Sequence, residues 1–217
     1  MHLKRQRAPK NWPVPRKGTV YIVRPNYNLQ KGGIPVLIAL RDILGLTKNR
    51  RETRKIIHSK LVLLNNRQIK DEKMNILLFD ILKIVPSKIN YRLTLSEKGK
   101  FNFEKVDEKE SGYKVSKIVD KKILKGKKIQ INLWDGRNSL CNLKCKINDS
   151  AIVNFDEKKI DKFLELKEKA KALVFGGKHA GKRGEIEKID LEKKQVELKT
   201  KDKEKINVLI KQLMVIE

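Results

Sequence analysis

Leu173-Val-Phe-Gly-Gly-Lys-His-Ala-Gly-Lys-Arg-Gly-Glu-Ile186 is the stretch whose reading decides how this chain folds. From Gly176 to Arg183 it comes within one residue of the phosphate-cradling loop G-x-x-x-x-G-K-[ST]. Arg183 stands where that loop needs a hydroxyl to hold Mg²⁺, and Gly184 with the alternating Glu185-Ile-Glu-Lys-Ile189 follows where it needs a helix. Both departures exclude nucleotide hydrolysis. What remains is a strand, a loop in which glycines permit tight turns, and a second strand. Lys178, Lys182 and Arg183 are then expected at the loop tip, where phosphates can be reached.

Working outward, residues 173–175, 185–189, 195–198, 206–208 and 213–216 read as five short strands separated by turn residues. They are expected to form a small SH3-like barrel over 166–217. Residues 86–165 alternate apolar and polar side chains, as in Lys128-Ile-Gln-Ile-Asn-Leu133 before the hairpin turn Asp135-Gly136, and predict a β-rich central domain. Upstream, Leu37, Leu40 and Leu44 share a helical face over 34–45, with Gly45 placed to end it. A second helix is expected from Thr47 as N-cap to about Ser59. Leu46, Thr53, Ile56, Ile57 and the stem of Lys60 fall on its inner side, and Lys48, Arg51, Arg54, Lys55 and His58 on the other. A solvated face normally mixes signs; this one is almost wholly cationic and reads as a nucleic-acid face. Asn65-Asn66, flanked by 61–64 and 67–70, predicts a tight hairpin, and 81–85 a closing strand, so 34–85 forms a compact unit.

Residues 1–33 carry Pro9, Pro13, Pro15 and Pro25 with no regular periodicity, which predicts an extended basic arm. Trp12, Tyr21 and Tyr27 are interleaved with its cations, a pattern suited to lying along phosphates while rings contact sugars or bases. The expected architecture is thus α+β and multi-domain: arm, 34–85, 86–165 and 166–217.

Charge supports one class of partner. Fifty-two Lys and Arg against twenty-six Asp and Glu leave +26. The arm carries eight cations and no acid, giving +8, and the other three segments carry +6, +7 and +5. Self-repulsion disfavours such a chain in isolation, and a phosphate backbone relieves it. Hydrophobic residues make up 39% and mean hydropathy is −0.55, enough for small cores. The run Ile34-Pro-Val-Leu-Ile-Ala-Leu40 is too short to span a bilayer, and the basic start has no apolar core of a signal peptide. Cys141 and Cys145 lie four apart with His2, His58 and His179 elsewhere, so neither a disulfide framework nor a metal site is expected. No nucleophile–base pair can be nominated. The expectation is a cytoplasmic non-enzyme with no cofactor, no metal, no small-molecule substrate and no membrane partner.

Three resemblances sharpen this. The glycine loop resembles the KOW motif of RNA-associated SH3-like barrels. Residues 34–85 resemble the S-four RNA-binding fold through Leu40-Arg-Asp-Ile-Leu-Gly-Leu46, Arg51-Glu-Thr-Arg-Lys-Ile-Ile57, Val62-Leu-Leu-Asn-Asn-Arg67 and Phe79-Asp-Ile-Leu-Lys-Ile84. That likeness implies RNA-facing roles for Arg41, Lys48, Arg51, Arg54, Lys55 and Arg67. The order of modules, with His2-Leu-Lys-Arg5, Ala8-Pro-Lys-Asn-Trp12 and Lys128-Ile-Gln-Ile-Asn-Leu-Trp-Asp-Gly-Arg-Asn138, is similar to small-subunit ribosomal protein four, "e" type, in its archaeal branch. In the arm, the implied RNA contacts are Lys4, Arg5, Arg7, Lys10, Trp12, Arg16 and Lys17. The resemblance implies a structural constituent of the small ribosomal subunit, with small-subunit rRNA and neighbouring small-subunit proteins as partners, on cytoplasmic ribosomes. The alternatives are an S-four-domain RNA-modification enzyme subunit, which needs a separate catalytic domain, and a KOW-type transcription or translation factor.

Overall fold

The computed structural model describes residues 2–26, 32–124, 128–141, 145–200 and 204–216, with the backbone alone for Cys141. Tyr27, one of the rings expected in the arm, lies outside the described residues. The chain divides into two compact units, Met1–Leu95 with Lys100–Gly112, and Ser96–Gly99 with Tyr113–Glu217.

The first unit contains β1 (Leu3–Lys4), β2 (Tyr21–Ile22), β3 (Ile34–Pro35), α1 (Val36–Ile38), α2 (Arg50–His58), β4 (Val62–Leu64), β5 (Arg67–Gln68), β6 (Asn75–Ile76), β7 (Ile81–Ile84), β8 (Ile89–Leu95) and β9 (Phe101–Val106). Its main sheet has five strands in the order β5-β4-β7-β8-β9, and β1 pairs with β2 and β3 with β6. Asn65 and Asn66 between β4 and β5 take φ of 51° and 59°, the left-handed pair that a two-residue hairpin requires. Asn65 also donates to Asp80 and accepts from the Ile81 amide, both at 2.9 Å, which pins the turn to the start of β7. The expected boundary at 85/86 is corrected: β7, β8 and β9 pair in succession in one sheet, so the first unit runs on well past Val85.

The expected helix over 34–45 is shorter and less regular. Ile34–Pro35 pairs with Asn75–Ile76, leaving Val36 to begin α1, which widens into a π-helical turn over Ala39–Ile43. Leu37 and Leu40 are fully buried, and Gly45 follows the turn at φ 65°. Asn49, not Thr47, caps α2: its side chain accepts from the Glu52 amide at 2.9 Å while Glu52 accepts from the Lys48 amide at 2.7 Å. Thr47 instead turns inward and shares a 2.8 Å hydroxyl bond with buried Thr53. Leu46, expected inside, is exposed.

The arm departs most from expectation. Leu3, Ala8, Trp12 and Ile22 are buried, and the Trp12 indole donates to the Gly33 carbonyl at 2.9 Å. The Phe101 amide in β9 donates to the Asn11 carbonyl at 2.9 Å, tying the arm to the main sheet's edge strand. A Cβ on Gly33 would lie 2.5 Å from the Asn75 side chain and 2.7 Å from the Ile76 carbonyl, so glycine there permits the close approach. Proline-rich backbone leaves carbonyls without ladder partners. Here guanidinium groups supply the donors: Arg5 to the Thr19 and Pro15 carbonyls at 2.9 and 3.1 Å, and Arg16 to Gln6 and Ala8 at 3.0 and 2.6 Å.

In the second unit, β10 (Tyr113–Ile123), β11 (Ile129–Leu133), β12 (Asn138–Cys141), β13 (Ser150–Asn154) and β14 (Ile160–Leu164) form a sheet in the order β12-β11-β10-β13-β14. β15 (Lys171–Val174), β16 (Arg183–Asp190), β17 (Gln195–Thr200), β18 (Lys205–Leu209) and β19 (Leu213–Val215) form a second, ordered β18-β17-β16-β15-β19. One core gathers Ile118, Ile131, Ala151 and Val153, the other Ala172, Val174, Ile186, Val196 and Leu198. Asp135 in the β11–β12 turn forms a buried ion pair with Lys114 of β10 at 3.2 Å. The chain is therefore mostly β with few helices; the expected helical share of an α+β fold reduces to α1 with its π turn, α2 and short 3₁₀ turns among the described residues.

Lys117 of β10 is buried, and its ammonium donates to the carbonyls of Ile210 and, at 2.8 Å, Leu213. Burial lowers its pKa from 10.5 to about 8. A neutral amine keeps two N–H donors, so both carbonyls remain satisfied after deprotonation.

Two outcomes follow from this packing. Trp12→Ala should destabilise the protein by about 3–5 kcal/mol, measured by urea unfolding, because it empties a buried indole site and orphans a carbonyl. For Lys117, the unfolded state holds a proton between pH 8 and 10.5 that the folded state has released, so stability rises with pH across that window. Melting curves should show wild type gaining on Lys117→Met as pH rises from 8 to 10, with the difference constant below pH 8.

Candidate nucleic-acid interface

α2 is amphipathic by sequence: Thr53 and Ile57 are buried, while Arg51, Arg54, Lys55 and His58 are exposed, as is Lys48 just before the helix. Capping by Asn49 and Glu52 fixes where the helix begins and therefore the direction of that cationic face. Arg67 is exposed on β5 of the same unit.

Charge on the helix is organised by one acid that sequence reasoning passed over. The Glu72 carboxylate is 1% exposed and accepts from Arg50 and Arg54 on successive turns of α2. Burial alone would raise its pKa; the hydrogen bonds and charges of Arg50 and Arg54 outweigh that and hold the carboxyl below its ordinary value. The Glu72 backbone carbonyl also accepts from the Leu37 amide at 3.0 Å, so the residue joins the α1 segment to α2. Arg54, expected as an RNA contact, is thus also a strut. Arg50 was not singled out from the sequence, although the i, i+4 spacing of Arg50 and Arg54 was visible there.

Among the arm residues, Lys4, Arg7, Lys10 and Lys17 are exposed. Trp12 is corrected from a ring contacting RNA to a core residue, 2% exposed. Arg5 and Arg16 engage backbone carbonyls of the arm itself. Arg41, in the π turn, forms a bidentate pair with Asp42 at 3.1 and 2.8 Å. It lines an open groove of about 600 Å³ together with Arg5, Arg24, Arg50 and Lys73. The structure therefore brings two expected cations, Arg5 and Arg41, together with three that were not foreseen.

In the second unit, the glycine loop folds back on itself. The Gly181 amide donates to the Val174 carbonyl at 2.8 Å and the Val174 amide to Lys182 at 3.0 Å. Gly181 has φ 93°, and a Cβ there would lie 1.9 Å from the Ser96 carbonyl oxygen, so no side chain is tolerated. Strand β16, not a helix, follows the loop. Lys178 is exposed at the turn; Lys182 pairs with Glu204 at 2.9 Å and holds that carboxyl below its ordinary range. Arg183 is the first residue of β16, opposite Leu173, and not at the tip as expected. Among the described residues no cluster of His, Cys, Asp and Glu could hold a metal ion, and no helix is long and apolar enough to cross a membrane.

Comparison with known proteins agrees with this picture of a mostly β protein with few helices. Residues 87–160 match the model of Ribosomal family S4e, and residues 1–27 match the RS4NT (NUC023) domain. Small ribosomal subunit protein eS4 of Nanoarchaeum equitans is 37% identical over 191 residues, covering 87% of this chain and 82% of that protein. Its counterpart in Methanocella arvoryzae is 34% identical over 190 residues, covering 87% and 80%. The crystal structure of 30S ribosomal protein S4e from Thermoplasma acidophilum shares the fold, with a TM-score of 0.73 at 23% identity over 85% of this chain and 94% of that one. The chain belongs to the eS4 family of small ribosomal subunit proteins.

Glu72→Gln keeps the shape and removes the charge, and should cost about 1–3 kcal/mol at neutral pH. Because the folded pKa lies below the unfolded value of 4.5, the carboxylate's contribution is complete above that pH and is lost as pH falls through the folded pKa. Denaturation of the two proteins should therefore differ at pH 7 and converge in acid.

Proposed function

We propose that this chain braces small-subunit rRNA through the cationic face of α2 and the basic loop of its C-terminal sheet. As a member of the eS4 family it is a structural constituent of the small ribosomal subunit and not an enzyme. The observation that carries the RNA-binding reading is the capped, nearly acid-free face of Lys48, Arg51, Lys55 and His58, in a chain of net charge +26. Lysine and arginine on a fixed helix face place charges at repeating distances along a phosphate backbone and release its condensed counterions.

In this reading, the first unit carries an S-four-type module, whose sheet runs on through β8 and β9, and 166–217 act as a KOW-bearing SH3-like barrel. Contacts come from Lys4, Arg7, Lys10 and Lys17 in the amino-terminal segment, from Arg41, Lys48, Arg51, Lys55 and Arg67, and from Lys178, Lys182 and Arg183. Arg5, Arg16 and Arg54 retain guanidinium donors beyond those engaged inside the protein and add to the contacts of the first unit. Partners are small-subunit rRNA and adjacent small-subunit proteins on cytoplasmic ribosomes.

Titrating labelled small-subunit rRNA with the full chain at several salt concentrations tests this. Contact with six to ten phosphates gives a log K versus log[salt] slope of about −4 to −9. Arg51→Ala with Lys55→Ala should flatten that slope by about 1.4 to 1.8, while stability stays within about 0.5 kcal/mol per substitution. An unchanged slope in the double variant would remove α2 from the interface.

A further inference from the structure

We infer that the groove between the amino-terminal hairpin and the α1–α2 region is a binding site for an unpaired RNA strand, with a base stacked on Tyr21. This rests on the RNA-binding reading above and adds a second, different mode of contact to it.

The groove lies wholly within the first unit, and at about 600 Å³ it has the size of a small-ligand cleft. Its walls carry five cations (Arg5, Arg24, Arg41, Arg50 and Lys73), and no carboxylate is among its lining residues. Three acids adjoin the lining: Asp42 holds Arg41 by two hydrogen bonds, Glu72 holds Arg50, and Asp71 accepts from the Asn26 side chain at 2.9 Å and the Lys73 amide at 3.2 Å. Arg5 is held by the Thr19 hydroxyl at 2.7 Å as well as by the carbonyls of Thr19 and Pro15. Such bonds use part of a guanidinium's five donors, leaving the remainder to a phosphate. Preorganised charges of one sign in a concave site are placed for successive phosphodiester oxygens of a single strand.

At the same groove stands a ring platform. Tyr21 is 55% exposed, and His2 lies 5.1 Å from it between centroids at a tilt of 42°. Strand pairing holds the Tyr21 backbone opposite Lys4, and the exposed ring rests against His2. A base offers its face to such a ring when it is unstacked. A-form duplex keeps its base faces inside the stack and presents a convex backbone that does not enter a cleft of this size. The combination of concave cationic walls and an exposed aromatic ring therefore selects an unpaired strand over a helix.

The test compares a single-stranded dodecaribonucleotide with a blunt RNA duplex of the same length, each titrated with the full-length protein by fluorescence anisotropy. Tyr21→Ala should weaken single-strand binding about tenfold and leave duplex binding unchanged, and Tyr21→Phe should restore the single-strand affinity. Arg24→Ala with Lys73→Ala should weaken single-strand binding and flatten its salt slope by about one to two, with melting temperatures confirming that the variants fold. Equal losses for strand and duplex, or no loss with Tyr21→Ala, would overturn the assignment. Normal rRNA binding with no single-strand binding by wild type would overturn the groove alone. Failure to bind rRNA at all would remove the reading it rests on.

Discussion

Fifty-two cations share this chain with twenty-six carboxylates, and that shortage of anions governs how the protein is built. A compact body with so much charge of one sign repels itself, so the position of each buried acid matters. Glu72 gathers two arginines of α2, and Asp135 holds Lys114 inside the second unit. Asp80 and Asp149 accept from backbone amides, Asp80 from Leu77 at 2.7 Å and Asp149 from Lys146 and Leu166 at 2.8 and 3.0 Å. These buried acids are thus engaged in holding turns and helices.

Cations also take over work that backbone amides do elsewhere. Arg5 and Arg16 bind carbonyls that the prolines of the amino-terminal segment leave without partners, and Lys117 closes two carbonyls near the carboxyl end. Buried carbonyls need donors, and a chain rich in cations can supply them from side chains. The same composition that suits a polyanionic partner therefore also stabilises irregular backbone. In the first unit the two uses meet, since Arg5, Arg41 and Arg50 are held by internal acceptors while lining an open groove.

For a ribosomal protein this division has a mechanical sense. A loosely held lysine loses much rotamer freedom on binding a phosphate, whereas an arginine already clasped by a carboxylate loses less. The clasped arginines of the first unit, Arg41, Arg50 and Arg54, are held in defined positions by Asp42 and Glu72. Lys4, Lys10, Lys17, Lys48 and Lys55 are exposed and add charge to the surface of the first unit.

Local chemistry was legible in the sequence wherever one short stretch decides it. The Asn65-Asn66 hairpin, the alternating strands and the strand–loop–strand in place of a nucleotide loop follow from turn propensity, period and the misplaced Arg183. The inner residues Thr53 and Ile57 of α2 follow from helical spacing, although the cap fell two residues later than expected because Thr47 found a buried partner in Thr53. What required tertiary structure was everything set by residues distant in sequence. Trp12 is buried because Gly33 leaves room beside Asn75, twenty-one residues from the indole to its acceptor. Arg50 and Arg54 are fixed by a carboxylate eighteen and more residues away. The sequence by itself determined a cationic, strand-rich chain and the family it resembles, because charge, period and motif are local properties. Which cations face outward, which act as internal donors and which meet in one groove was decided by packing, because burial and hydrogen-bond partnership exist only once distant segments touch.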